Sequence, residues 1–184
     1  MINSKGFSLI EVLVTSALVS IGVVGAMFLQ VKSIQYTQGS ANHNMAVILT
    51  KDLIEIIRFH RSDFIKKKED IIYPYSYLKG STDIYNEHGV VVVRSDNCDE
   101  YTVKGQLTEQ VSCWLKSVEY SLPGAGSSKV RSNVKLCPSF ISGECAGDSY
   151  EGTTLEVQVA WIGKEGECDD VIEDICIYRV VFDL

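Results

Sequence analysis

A single glutamate interrupts an apolar run near the start of this chain. Phe7 to Leu29 reads FSLIEVLVTSALVSIGVVGAMFL, and Glu11 is its only ionisable residue. A carboxylate costs up to about 3 kcal/mol at the centre of a bilayer, so its presence there points to a charge that meets a partner. The alternative is a carboxylate tolerated in a first helical turn, where the macrodipole favours negative charge, if the chain began at Phe7. The second chemically active group is the cysteines: Cys98, Cys113, Cys137, Cys145, Cys168 and Cys176. An even number confined to one half of a chain fits a disulfide framework formed in an oxidising compartment. A thiolate metal site would want C-x-x-C spacing with a histidine close by. This chain has no C-x-x-C and no His between Cys98 and Cys176.

Six cysteines admit many connectivities. Local pairing is preferred: Cys98–Cys113, Cys137–Cys145 and Cys168–Cys176. The last two pairs close short loops rich in Gly, Ser, Asp and Glu, which otherwise have little to hold them. By the chain-entropy account each bridge contributes a few kcal/mol. Acidic residues cluster at Asp96, Asp99 and Glu100, and again at Glu167, Asp169, Asp170, Glu173 and Asp174. Neither cluster has an EF-hand pattern, so they read as solvated loops. His43, His60 and His88 stand apart from any metal-ligand spacing and read as ordinary polar positions. No G-x-S-x-G, phosphate loop or H-E-x-x-H occurs, so no catalytic residues, metal or cofactor are expected.

The elements that would position these groups follow from periodicity. At about 1.5 Å per residue, Phe7 to Leu29 reaches about 35 Å, enough to cross a hydrocarbon core as a helix. An ordinary cleaved secretory signal would be shorter and closed by small residues. Lys5, the only basic residue ahead of the run, favours a cytoplasmic N-terminus. Beyond it, Val31, Ile34, Ala41, Met45, Ile48, Leu49, Leu53, Ile56 and Ile57 recur mostly at three and four residues, an amphipathic stripe. One helix from about residue 8 to 62 is therefore expected, with Gly39 its one weak point. Gly22 and Gly25 either permit close helix packing or reflect the ordinary abundance of Gly in membrane helices. Arg58, Arg61, Lys66, Lys67 and Lys68 follow the stripe; a solvated helix end is preferred there over a DNA contact.

In the second half, Val90–Val93 reads as a strand or buried edge. Thr108 to Leu122 presents Val111, Trp114 or Leu115, Val118 and Leu122 on one helical face, ended by Pro123 and Gly124. Lys129–Leu136 is expected as a strand. Thr154–Ile162 alternates Leu155, Val157, Val159 and Trp161 against polar neighbours, as a half-buried strand does, and Ile175–Leu184 is another. The fold class is α+β: a long N-terminal helix, transmembrane then amphipathic, packed on a small antiparallel sheet.

The run Lys5-Gly6-Phe7-Ser8-Leu9-Ile10-Glu11-Val12-Leu13 resembles the prepilin motif of type IV pilins and type II secretion pseudopilins. The resemblance implies cleavage after Gly6 by prepilin peptidase, methylation of the new terminus at Phe7, and pairing of Glu11 with a neighbouring subunit's terminal amine. An ammonium and a carboxylate in a low-dielectric bundle need one another. A more diffuse likeness concerns two further stretches. One is Trp114-Leu115 through Leu122-Pro123-Gly124-Ala125-Gly126, followed by strands ending in Trp161. The other is Ile21 to Gln30, then Leu53 to Arg58 and Arg61. These look like PilV-type minor pilins.

The expected organisation is a leader at 1–6, a membrane and filament-core helix at 7–30, its amphipathic continuation at 31–69, and a disulfide-stapled domain at 70–184. An acidic balance, 24 Asp+Glu against 17 Lys+Arg, argues against a general nucleic-acid binder. The resemblance implies a minor pilin, not an enzyme. It would sit in the inner membrane with its domain periplasmic and then enter an extracellular pilus, in the tip complex that initiates assembly. Its partners would be the major pilin, other minor pilins and prepilin peptidase. The alternatives are a type II secretion pseudopilin, or a tip-displayed adhesin or DNA-uptake module binding DNA or a host surface.

Overall fold

The computed structural model describes residues 8–65, 78–79, 82–93, 98, 105–139, 141–146, 152–163, 167–168 and 171–184. The chain divides into two compact units, Met1–Gln38 and Gly39–Leu184. The described part of the first is helical. Helix α1, Leu9–Phe59, begins there and runs without a break past Gly22, Gly25 and Gly39. No proline occurs within it, so nothing removes an i→i−4 hydrogen bond.

Within Gly39–Leu184, α1 buries Leu49, Leu53, Ile56 and Ile57 of the expected stripe, together with Ala46, which the stripe did not include; its other members, Val31, Ile34, Ala41, Met45 and Ile48, are exposed. It is followed by α2, Arg61–Phe64, after a break at His60. The one helix expected to about residue 62 is therefore found as two, α1 and this short second helix, which ends at Phe64. Ile65 is extended (φ −93°, ψ 135°) and bridges Leu78. Phe64 drives the turn inward: it is fully buried and stacks on Tyr85 with ring centroids 6.4 Å apart. Residues 66–69 lie outside the described residues, as do Lys66, Lys67 and Lys68 of the basic cluster.

Helix α3, Leu107–Ser121, buries Val111, Trp114, Leu115 and Val118. Its start is fixed by Gln106, whose N–H donates to the Glu109 carboxylate at 3.4 Å. Its end follows from Leu122, which is extended, and from Gly124 at φ +65°. The Trp114 indole N–H donates to the Leu49 carbonyl at 2.7 Å, tying α3 to α1.

Lys129–Leu136 is not one strand. Its first part is α4, Ser128–Arg131, and only Lys135–Pro138 forms β1. A cap overrides strand propensity here, because the Ser127 hydroxyl accepts from the Val130 N–H at 3.4 Å. Arg131 is then held by Glu119 and by the Val93 carbonyl. The 84–93 segment borders β1: Val90 bridges Lys135, and the Leu136 N–H donates to the Gly89 carbonyl at 2.7 Å.

Strands β2 (Thr154–Ile162), β3 (Val171–Ile172) and β4 (Ile175–Asp183) complete an antiparallel sheet of order β1-β2-β4-β3. The fold is thus a long N-terminal apolar helix with a small antiparallel sheet, the α+β class expected. On one face the pairs Leu155/Phe182, Val157/Val180, Val159/Tyr178 and Trp161/Cys176 lie opposite one another. His43 of α1 meets Tyr178 edge-on at 5.2 Å on that face. Strand β2 is buried on both faces rather than half-buried. Its polar side is covered because Gln158 donates to the Asn133 carbonyl and Gly143 donates to Glu156, each at 2.7 Å. The β3–β4 connection places Glu173 and Asp174 at φ 48° and 66°. Two consecutive left-handed residues make the tight turn whose twist matches a hairpin.

Candidate functional site

Ser8 and every residue of α1 from Leu9 to Ile34 are exposed. The exposed side chains include Leu9, Leu18, Ile21, Val24, Phe28 and Leu29, the last at 70%. Water does not tolerate so much apolar surface, at about 25 cal/mol per Å². This segment is therefore built to be covered by lipid or by other helices. Three of its hydroxyl side chains are satisfied within the helix. Thr15 donates to the carbonyls of Glu11 and Val12, Ser16 to that of Leu13 and Ser20 to that of Ser16, all within 3.0 Å. Among the described residues, α1 is the one helix long and apolar enough to cross a membrane.

Glu11 stands apart from that self-sufficiency. It occupies the first turn of α1, where the Ser8 carbonyl accepts from the N–H groups of Glu11 and Val12 at 3.0 and 3.3 Å. The dipole there favours its charge. No cation pairs with it among the described residues, and its neighbours are Leu9, Ile10, Val12 and Leu13. Gly6 and Phe7 lie outside the described residues.

The chain matches the family described as the prokaryotic N-terminal methylation motif over residues 1–27. No curated protein and no solved structure matches it. The motif, with its hydrophobic helix, supports a type IV pilin-family protein, of pilin or pseudopilin type, a family that is structural rather than enzymatic. It implies processing by prepilin peptidase and assembly with other pilins. Motif and helix together fit a membrane-anchored pilin that is later in the pilus.

The six cysteines form the pairs Cys98–Cys113, Cys137–Cys145 and Cys168–Cys176. Two glycines sit where only hydrogen fits beside a bridge. A Cβ at Gly89, which also has φ +75°, would strike the sulfur of Cys145, and one at Gly163 the sulfur of Cys176. Of the acidic clusters, Asp96, Asp99, Glu100, Asp169 and Asp170 lie outside the described residues. No group of His, Cys, Asp and Glu suited to a metal occurs among those described. His60 meets the Gln110 side chain at 3.2 Å, and the exposed His88 lies 3.7 Å from Glu87.

Two carboxylates gain importance only in three dimensions. Glu156 is 3% exposed, and burial pushes its carboxyl up from its ordinary range against the hydrogen bond from Gly143 and the charge of Arg179. In sequence it is merely the polar half of an alternating strand. Asp52 is raised by desolvation and by the charge of Glu55, and borders a cleft with Trp114. The signal for it is weak, since acidic residues on the outer side of an amphipathic helix are common.

Proposed function

We propose that this chain is a minor pilin of PilV type, cut between Gly6 and Phe7 and methylated at Phe7. Its domain is periplasmic while the helix is held in the inner membrane. It then joins other minor pilins and the major pilin in the tip complex that starts a type IV pilus. Glu11 serves assembly by meeting a neighbouring subunit's terminal amine, and the disulfides serve the exposed domain. The observation that carries this reading is the joining of the methylation motif to a helix whose first part, through Ile34, is left uncovered, with one carboxylate in its first turn.

The test is replacement of the native copy by Gly6→Ala or Glu11→Ala, with surface pili counted by electron microscopy. Pilus number should fall at least tenfold in both, with the Gly6→Ala chain retaining its leader by mass spectrometry. Normal piliation in either strain overturns the reading. Intact pili with lost export of secreted proteins would instead assign the chain to a type II secretion machine.

A further inference from the structure

Within Gly39–Leu184, α1 presents a second stripe beside its buried one. Met45, Ile48, Asp52, Glu55 and Phe59 are spaced by three and four residues, the repeat of a helix-pairing seam. Its apolar members are not covered: Met45 is 37% exposed, Ile48 53% and Phe59 70%. A cleft of about 370 Å³ runs alongside, between α1 and α3, lined by Leu49, Asp52, Glu55, Ile56, Trp114 and Ser117. Its floor is firm, because Trp114 is 2% exposed and bonded to the Leu49 carbonyl. Asp52 and Glu55 sit one turn apart at the rim and repel one another, with no cation pairing either among the described residues.

We propose that this cleft docks an α-helix of a different subunit, one that lays apolar residues against Met45, Ile48 and Phe59 and sets a lysine or arginine between Asp52 and Glu55. The apolar stripe supplies area, and the paired carboxylates select the partner and its register, as polar groups in a helix seam do. A second copy of this chain laid face to face would set carboxylate against carboxylate, which disfavours it. The inference rests on the pilin reading above and names the surface by which such a subunit recognises an unlike neighbour.

The test is a photo-crosslinking amino acid at Ile48 of the full-length chain in cells that assemble the filament, with Ile172 as the control position. The expected result is an adduct with a helical segment of another subunit that carries Lys or Arg within one turn of the crosslinked residue. The adduct should fall at least fivefold in the Asp52→Lys, Glu55→Lys double variant, at equal abundance of the chain. It should return when that basic residue of the partner is changed to Glu. An adduct with a second copy, an adduct indifferent to charge reversal, or a yield no higher than at Ile172 overturns the proposal. If the chain is trimmed at Gly6 but yields no adduct, only the docking surface is lost. An untrimmed chain with no adduct removes the pilin reading as well.

Discussion

Glu11 and Glu156 are both carboxylates in apolar settings, yet only the first could be found by reading along the chain. The isolation of Glu11 is local, written in the residues on either side of it. The partners of Glu156 are Gly143, thirteen positions earlier, and Arg179 across the sheet, so the alternation of β2 disguises its setting. The consequence for stability has a definite sign. A carboxyl whose folded pKa is raised holds its proton more tightly folded than unfolded. Its contribution is complete below the unfolded value of about 4.5 and is lost as pH rises through the higher folded value. Glu156→Gln keeps an oxygen for the Gly143 N–H and removes the charge. Thermal unfolding of wild type and variant across pH 4 to 8 should therefore show the variant gaining on wild type as pH rises. A constant or shrinking difference would rule out a buried, charge-penalised Glu156.

At the scale of elements, periodicity marked α3, β2 and β4 within a residue, and α1 within three. It failed where a single capping bond decided the outcome, as at Ser127. The two-residue β3 and its left-handed turn through Glu173 and Asp174 carried no glycine to announce them. Gly39 looked like a blemish in the helix. In the structure a Cβ there would lie 3.0 Å from the backbone oxygen of Glu167. That oxygen cannot yield easily, because Cys168 is the next residue and is bonded to Cys176. Alanine would ordinarily gain about 1 kcal/mol over glycine inside a helix. Gly39→Ala should instead be destabilising, by about 1 kcal/mol in denaturant unfolding, and a more stable variant would contradict the contact. Gly124→Ala combines a positive φ with a collision against Ile162 and should cost more, about 2–3 kcal/mol.

For the molecule as a whole, the two compact units have different sources of stability. The described residues up to Gln38 bury nothing of their own, so covering them is left to the membrane or to other subunits. Gly39–Leu184 has its own core, with Trp114, Trp161, Tyr85 and Phe64 among its largest buried side chains. Staples reinforce that core where loops leave the sheet. The Cys137–Cys145 bridge closes a short loop from β1, and Gly143 within that loop holds Glu156. Gly89 packs against the same bridge from the other side, in a turn where the Asn86 side chain accepts from the N–H groups of His88 and Val90. Removing the bridge therefore frees two loops and uncovers the polar side of β2. The Cys137→Ser, Cys145→Ser variant of the full chain in detergent should lose about 2–3 kcal/mol in chemical denaturation, in line with loop-closure entropy for so short a loop. On the proposed pilin reading, trimming at Gly6, read by mass spectrometry, should proceed as in wild type, because the motif at residues 1–27 lies within a different compact unit from the bridge. A variant as stable as wild type would show the bridge to be idle. One that is folded but no longer trimmed would show that the two units do not act independently.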